Sequence, residues 1–386
     1  MEKPLKVLLL VHTFTIIGGY ENLVRDLSNY LSEKIEVHIV CYNLGNINNI
    51  KISKNLKIHQ FTHILNTKFI SIPLNALINN IKLLYIIRKE KISIINVHPV
   101  FPAGLDVILA KLFGAHLVCT SHGSDIQINN VLNYGVRRNF FANFMIRCIL
   151  KISDYHTVVS NSMISDAINA GSYPSKIRVI NNGIDLQCLP NSKDFLDSKY
   201  SFDKENFLIL YLGRLHVKKC PDDLIKAMQI VSSEVRSAKL IIAGKGEEES
   251  NLKQLVKKLK LSDRVLFTGF VSDKEKWQLM MNCDVFVLPS EIEAFGISLI
   301  EAMACKKPVV VTNIGAFTEI VKHKETGIII PLHSPQDIAE AIIELFKNPD
   351  LRYKIGLFAR KEIENRFDIA KISEDYLNLY IKCLLT

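Results

Sequence analysis

Two α/β units, each a parallel sheet covered by helices, are what this chain predicts, and three observations carry that expectation. Short β-branched runs alternate with helical segments along the whole length, the pattern that parallel sheets require. At 386 residues the chain exceeds what one hydrophobic core supports, since domains average roughly 150 residues. Near the middle, 191–205 is polar, heavily charged and without periodicity, which is the character of a linker.

In the first half the predicted strands are Val7–Val11, Val37–Val40, Ile94–Val97, Leu117–Thr120, Thr157–Val159 and Val179–Ile180. The helix after the first of them begins beyond Gly18-Gly19, and Leu23, Val24, Leu27, Tyr30 and Leu31 form its apolar stripe. The second half repeats the scheme with Leu208–Leu212, Leu240–Ala243, Val265–Thr268, Val285–Leu288, Val309–Thr312 and Ile328–Ile330. A last helix is expected over Ile369–Leu385. The division that results is a first unit at 1–187, a linker at 188–205, a second unit at 206–366 and a terminal helix at 367–386. Ligands of open α/β sheets bind beyond the carboxyl ends of the strands, so loops of both units are expected to line a cleft.

Composition narrows the class. A hydrophobic content of 48% with 23% charged residues is globular, and no short-period repeat or low-complexity tract is visible. Eight cysteines are scattered singly, with no C-x-x-C pair and no zinc-ligand spacing, which fits a reduced cytoplasmic setting. Lys3 and Lys6 precede an apolar run too short for a secretory signal, so that run reads as the first strand. No uncharged stretch reaches the roughly 18 residues that a membrane-spanning helix needs. A net charge of +9 favours polyanionic surfaces, but no nucleic-acid-binding motif accompanies it, so nucleic acid is not an expected partner. From Val131 to Ser153, Arg137, Arg138, Arg147 and Lys151 interleave with Phe140, Phe141, Phe144 and Met145, with no acidic residue. This reads either as a basic amphipathic helix facing an anionic membrane surface or as a core-packed helix with a solvated basic face. Asn79 to Lys91 has a similar character.

The residues that carry chemistry cluster at strand ends. In Cys283–Val311 an apolar strand breaks at a proline, turns, and enters a helix, with Glu293 and Glu301 eight residues apart and Phe295, Gly296 and Ile297 between them. Carboxylates accept paired hydrogen bonds from adjacent hydroxyls, and a helix N-terminus attracts anions, a combination that suits a sugar attached to a diphosphate. Leu212-Gly213-Arg214 closes a strand, and Lys219 follows just before Pro221 opens a helix. Further candidate turns are Gly244, in Ala243-Gly244-Lys245-Gly246, and Phe270 after Gly269. In the first half they are Gly18-Gly19-Tyr20-Glu21, His122-Gly123-Ser124-Asp125 and Asn182-Gly183-Ile184-Asp185. The third glycine of a dinucleotide fingerprint is missing, because Glu249 stands there.

Glu293-Ala-Phe295-Gly296, Glu301-Ala-Met-Ala and Pro308-Val-Val, together with the Gly-Gly-x-Glu and His-Gly-x-Asp segments, resemble the GT4 family of retaining glycosyltransferases. The resemblance covers nearly the whole chain. It implies the GT-B fold: two Rossmann-like domains facing a cleft, an acceptor-binding first domain, a nucleotide-sugar-binding second domain, and a C-terminal helix crossing back to the first. It further implies that Arg214 and Lys219 grip the donor diphosphate, that Gly19 lets backbone approach the phosphate, and that His122 touches the transferred sugar. Gly244, Phe270, Phe295, Gly296 and Ile297 would line the donor site. Glu293 would orient sugar hydroxyls, Glu301 would hold the ribose, and Glu21, Asp125 and Asn182 would sit on the acceptor side. No Asp-x-Asp occurs, so neither a metal nor another cofactor is expected. The implied reaction moves a sugar from a nucleotide-diphosphate sugar to a hydroxyl of a saccharide or lipid-linked saccharide, with the donor phosphate taking the acceptor's proton. Surface-polysaccharide assembly on the inner face of the cell membrane is the expected setting. Two other readings stand beside it: a sugar-nucleotide epimerase or phosphorylase on the same fold, which would share the phosphate-gripping residues, and a catalytically silent membrane-associated adaptor, against which Glu293, Glu301, Arg214 and Lys219 speak. Cys220 and Lys306 stand where relatives often carry glycine, and Ala316-Phe317 follow Gly315 where a second glycine is usual.

Overall fold

The computed structural model describes residues 5–14, 18–45, 53–61, 71–189 and 205–385, with backbone only for 71–74. Most of the expected linker therefore lies outside the described residues. In chain order the elements are β1 (Lys6–Phe14), α1 (Gly19–Ser32), β2 (Glu36–Leu44), β3 (Leu56–Gln60), α2 (Ser71–Glu90), β4 (Ile94–His98), α3 (Ile108–Leu112), β5 (His116–Ser121), α4 (Phe140–Ile152), β6 (Tyr155–Val158), α5 (Ile164–Asn169) and β7 (Ile177–Val179). There follow β8 (Phe207–Leu212), α6 (Pro221–Glu234), β9 (Ala238–Ala243), α7 (Glu249–Lys258), β10 (Val265–Gly269), α8 (Asp273–Asn282), β11 (Val285–Leu288), α9 (Ile297–Ala304), β12 (Val309–Thr312), α10 (Gly315–Thr318), β13 (Ile328–Ile330), α11 (Pro335–Lys347), α12 (Pro349–Arg366) and α13 (Ile369–Leu384). The chain divides into unit 1, Met1–Gly183 with Ile369–Thr386, and unit 2, Ile184–Asp368.

Unit 1 is built on a seven-stranded sheet in the order β3-β2-β1-β4-β5-β6-β7, with every pairing parallel. Its central strands are continuous apolar runs, such as Val7–Val11, because helices bury both faces of such a sheet. The stripe predicted on α1 is the buried one at Leu23, Val24, Leu27 and Leu31. From the far end of the chain, Ile369, Ile372, Tyr376 and Tyr380 of α13 join that same core. Burying two tyrosines there requires polar partners. Asn96 donates to the Tyr380 hydroxyl at 2.7 Å and accepts from Thr120 at 2.9 Å.

The edge strand β3 was not anticipated. Leu56-Lys57-Ile58-His59-Gln60 alternates with only two apolar residues, too weak a pattern to stand out without the β2 partner it pairs with. The segment 131–153 is also not one helix. Residues 129 and 134 form an isolated bridge, Gly135 turns the chain at φ 106°, and α4 starts only after the Asn139 cap, whose side chain accepts from the Ala142 N–H. Arg137 is structural: it is buried and donates to the carbonyls of Ile126 and Asn169 and to Asn143 Oδ1.

Unit 2 repeats the plan with six parallel strands ordered β10-β9-β8-β11-β12-β13. In both sheets the order reverses beside the first strand of the unit, between β1 and β4 and between β8 and β11. Crevices at such switch points are where open α/β sheets take ligands.

Candidate functional site

The unit 2 residues singled out by the sequence emerge at the carboxyl ends of the two strands flanking its switch point. Gly213 and Arg214 follow β8, and Glu293 follows β11. A backbone bond from the Glu291 N–H to the Lys218 carbonyl, 2.9 Å, ties the two loops together. Lys219 Nζ pairs with Glu293 Oε1, and both side chains are largely shielded from solvent. Beneath them, fully buried Tyr211 donates to the Arg214 carbonyl at 3.0 Å. Arg214 itself is exposed and pairs with Glu247 Oε1 at 2.7 Å. Lys218 sits in the field of Lys219, Arg214 and Glu293. Burial first, then the Lys219 charge, pushes its ammonium down to about 8. An arriving polyanion would relieve that concentration of positive charge.

Glycines let these loops pack against one another. A Cβ on Gly244, at φ 138°, would lie 1.9 Å from the Gly213 carbonyl oxygen, and one on Gly246 would lie 2.1 Å from that of Leu215. Gly296 caps α9 in the left-handed region at φ 103°, and a Cβ there would meet the Phe317 ring at 2.9 Å. The Phe295 side chain turns inward, 2% exposed, and packs edge-on against Phe367 at 5.6 Å. Its position leaves the Gly296–Ile297 backbone at the helix start. Phe270, after β10, is 55% exposed. Glu301 lies inside, with Oε1 accepting from Lys276 Nζ at 2.6 Å. Burial opposes the Lys276 charge, but Glu301 and Asp273 outweigh it and its pKa is raised.

Two of the three departures from glycine occupy left-handed backbone, Cys220 at φ 47° and Lys306 at φ 59°. The turns thus keep a glycine-favouring shape with a side chain added, at a cost of about 1–2 kcal/mol each. Ala316 and Phe317 fill the core instead. Cys220, Asp223 and His333 place potential metal-ligand atoms within 4.8 Å of one another. The Cys220 thiol is pushed up to about 12 by burial and then by Asp223 and Asp222, and Asp223 already pairs with Lys226 at 3.1 Å.

In unit 1 the corresponding loops follow β1, β4 and β5. Gly18, at φ 115°, precedes Gly19, the first residue of α1, and its missing Cβ leaves room for the Glu21 carboxylate. Burial raises the Glu21 pKa, opposed by hydrogen bonds that include one from Tyr20. The Tyr20 ring stacks on His122 at 5.2 Å. His122 Nε2 lies 3.0 Å from Nδ1 of His98, the last residue of β4. Burial pushes His122 down to about 4 and, with help from His122, drops His98 well below the usual range, so both are neutral. The remaining nitrogens, His122 Nδ1 and His98 Nε2, have no partner among the described residues. Asp125 organises this loop: its carboxylate accepts from the N–H groups of Val100, His122 and Gly123 at 3.1–3.2 Å. Asn182 is buried with its Oδ1 unpartnered among the described residues.

Sequence reasoning missed Lys218, Glu247, Lys276 and His98. Glu247, Lys276 and His98 act through partners 24 to 33 residues away, and Lys218 is set apart from its neighbour Lys219 only by its burial. Only His98, closing an apolar strand before a proline, left a signal that could have been read.

The chain matches the family described as Glycosyltransferase Family 4 over residues 17–187 and that described as Glycosyl transferases group 1 over residues 192–362. It is 30% identical over 374 residues to an uncharacterized glycosyltransferase of Methanocaldococcus jannaschii, with 95% of each chain covered. Over 380 residues it is 27% identical to the N-acetyl-alpha-D-glucosaminyl L-malate synthase of Bacillus anthracis, again covering 95% of each. A 247-residue stretch, 62% of each chain, is 30% identical to the capsular polysaccharide biosynthesis glycosyltransferase CapM of Staphylococcus aureus. Among solved structures, Anabaena HepE in complex with UDP and glucose superposes with a TM-score of 0.79 at 21% identity, covering 97% of this chain and 99% of HepE. The fold is GT-B, and the protein is a glycosyltransferase enzyme. The chain belongs to the group 1, family 4 glycosyltransferases. No helix among the described residues is long and apolar enough to cross a membrane.

Proposed function

We propose that this glycosyltransferase moves a sugar from a nucleoside-diphosphate sugar to a hydroxyl of a saccharide acceptor, with retention at the anomeric carbon, in the assembly of a surface polysaccharide. The observation that carries the reading is the Lys219–Glu293 pair at the unit 2 switch point, close in sequence to the N-terminus of α9, where Gly296 offers no side chain to bond the first amides. Cations and helix amides neutralise a departing diphosphate, and a carboxylate beside them grips the hydroxyls of the sugar it leaves. HepE, with UDP and glucose in its complex, supports the donor class, and CapM supports the setting.

In this mechanism Lys219, Lys218 and Arg214 hold the diphosphate while its bond to C1 of the sugar breaks. Glu293 orients sugar hydroxyls and offsets the positive charge that builds on the ring. The acceptor oxygen bonds to C1 from the face the leaving group departs, and its proton passes to a donor phosphate oxygen. Neither a protein nucleophile nor a metal is needed. Phe270 offers an exposed ring for the base to stack on. Glu301 contributes through the oxygen that Lys276 does not hold. In unit 1, Gly19 lets backbone approach the phosphate, neutral His122 offers Nδ1 to a sugar hydroxyl, and Glu21, Asp125 and Asn182 serve the acceptor side.

The test is a panel of nucleotide sugars in a thermal-shift screen, since a ligand of the folded state raises Tm. Product analysis by NMR with the binding sugar follows. A new glycoside with the donor's anomeric configuration is expected. An inverted product refutes retention, and donor turnover that is independent of any acceptor favours an epimerase or phosphorylase.

A further inference from the structure

The largest feature of unit 1 that glycosyl transfer leaves unused is the outer surface of α2 and α4. On α2, Leu77, Ile81 and Tyr85 follow one another at helical spacing and are 52–64% exposed, and Arg88 and Lys89 continue the stripe. On α4, Phe140 and Phe144, 87% and 55% exposed, lead in the same way to Arg147 and Lys151. Each stripe therefore runs from bare apolar side chains to cations. Arg88 lies over the exposed Phe113 ring at 4.7 Å and Lys89 over Tyr85 at 5.8 Å. Cations in a last helical turn complement the helix dipole, but that does not account for five exposed large apolar residues beside them. Contiguous exposed apolar area of this kind marks an interaction surface.

An apolar groove of about 350 Å³ lies between the two helices, lined by Leu77, Ile108, Phe141 and Met145 among others. Its one polar lining residue, Asn80, is fully engaged: the amide donates to the Ala76 and Leu105 carbonyls at 2.8 and 2.9 Å and accepts from the Leu109 N–H at 2.9 Å. The groove thus offers no hydrogen-bonding group to a peptide or a sugar and accommodates hydrocarbon only. Along the two helices every charged residue within 71–89 and 126–153 is basic, and Glu90, the last residue of α2, is paired with Lys57 at 3.0 Å.

We propose that unit 1 docks on an anionic lipid bilayer through α2 and α4, with one hydrocarbon chain entering the groove between them. The exposed phenylalanines reach the acyl boundary, and Arg88, Lys89, Arg147 and Lys151 meet the headgroup phosphates. This docking stands on the surface of unit 1 and does not rest on the glycosyl-transfer reading, so it is measured apart from turnover.

Sedimentation of the full chain with phosphatidylcholine vesicles, with and without phosphatidylglycerol, tests it. Binding should require the anionic lipid and weaken with added salt. Lys89→Gln and Lys151→Gln should each lower the partition about fivefold, the equivalent of about 1 kcal/mol per cation. Phe140→Ser with Phe144→Ser should abolish binding, and Ala76→Phe, which fills the groove, should reduce it. Melting temperature and nucleotide-sugar binding of these variants should match the parent, which separates a folding defect and a failure of the transfer reading from a failure of docking. Absence of binding to anionic vesicles overturns the proposal, as does full binding by the double phenylalanine variant. Self-association that this variant loses in the ultracentrifuge would assign the surface to a second copy and overturn it too.

Discussion

The two units share a sheet order but arm their switch points in opposite ways. In unit 2 the strand ends carry paired charges: Lys219 with Glu293, Arg214 with Glu247 and, deeper, Lys276 with Glu301. In unit 1 the same positions hold buried groups driven to neutrality, His98 and His122, braced by Asp125 and stacked against Tyr20. The lesson is about ligand charge. A diphosphate needs cations fixed in advance, whereas an uncharged ligand can be held by neutral donors and acceptors whose desolvation is already complete.

The largest effect is expected at the deepest of these pairs. Lys276→Met strands the Glu301 carboxylate in the core and should cost about 3–5 kcal/mol of stability, read by urea unfolding, while a double replacement of both residues by apolar ones recovers most of it. Next comes activity. Lys219→Met and Glu293→Gln should each lower kcat by about 10²–10³-fold, whereas His122→Asn, which removes one neutral hydrogen bond, should cost about tenfold. Equal losses at both units would dissolve the distinction between them.

The neutral and the charged groups also differ in their response to pH. His156, fully buried between Ser121 and Ser172, is held down to about 3 by burial. Its folded pKa lies below its unfolded value, so the stability its neutral form contributes is complete above pH 6.5 and is lost as pH falls toward 3. The destabilisation caused by His156→Gln should therefore shrink by about 1.4 kcal/mol per pH unit below 6.5. On the charged side, Lys218 titrates near 8, and a bound diphosphate favours its protonated form. Nucleoside-diphosphate affinity should fall as pH rises through about 8, and calorimetry should detect proton uptake on binding at that pH. The smallest effect belongs to Cys220→Gly. Relief of left-handed strain, about 1–2 kcal/mol, is partly offset by glycine's freedom in the unfolded chain, leaving a gain of about 0.5 kcal/mol in thermal melting.

Much of this molecule was legible from the chain alone, and for a physical reason. Parallel strands buried on both faces must be apolar throughout, so β11, β12 and β13 begin and end where the pattern put them. Turns that need left-handed backbone or close approach select glycine, which is why Gly244 and Gly296 stood out. Where Cys220 and Lys306 replace glycine, the sequence announced a departure, but only the backbone angles revealed that the turn itself was kept.

What the chain could not disclose is who faces whom. Lys276 and Glu301 are 25 residues apart, His98 and His122 are 24 apart, and Asn96 and Tyr380 are separated by 284. Such partnerships depend on strand order, which local periodicity does not encode, because neighbours in a parallel sheet are joined through crossovers that can place a strand on either side. Periodicity and turn chemistry thus determined the elements and the ends of strands at which the chemistry gathers. Tertiary packing alone decided which charges are paired, which imidazoles are neutral, and that α2 and α4 contribute to the lining of one apolar groove.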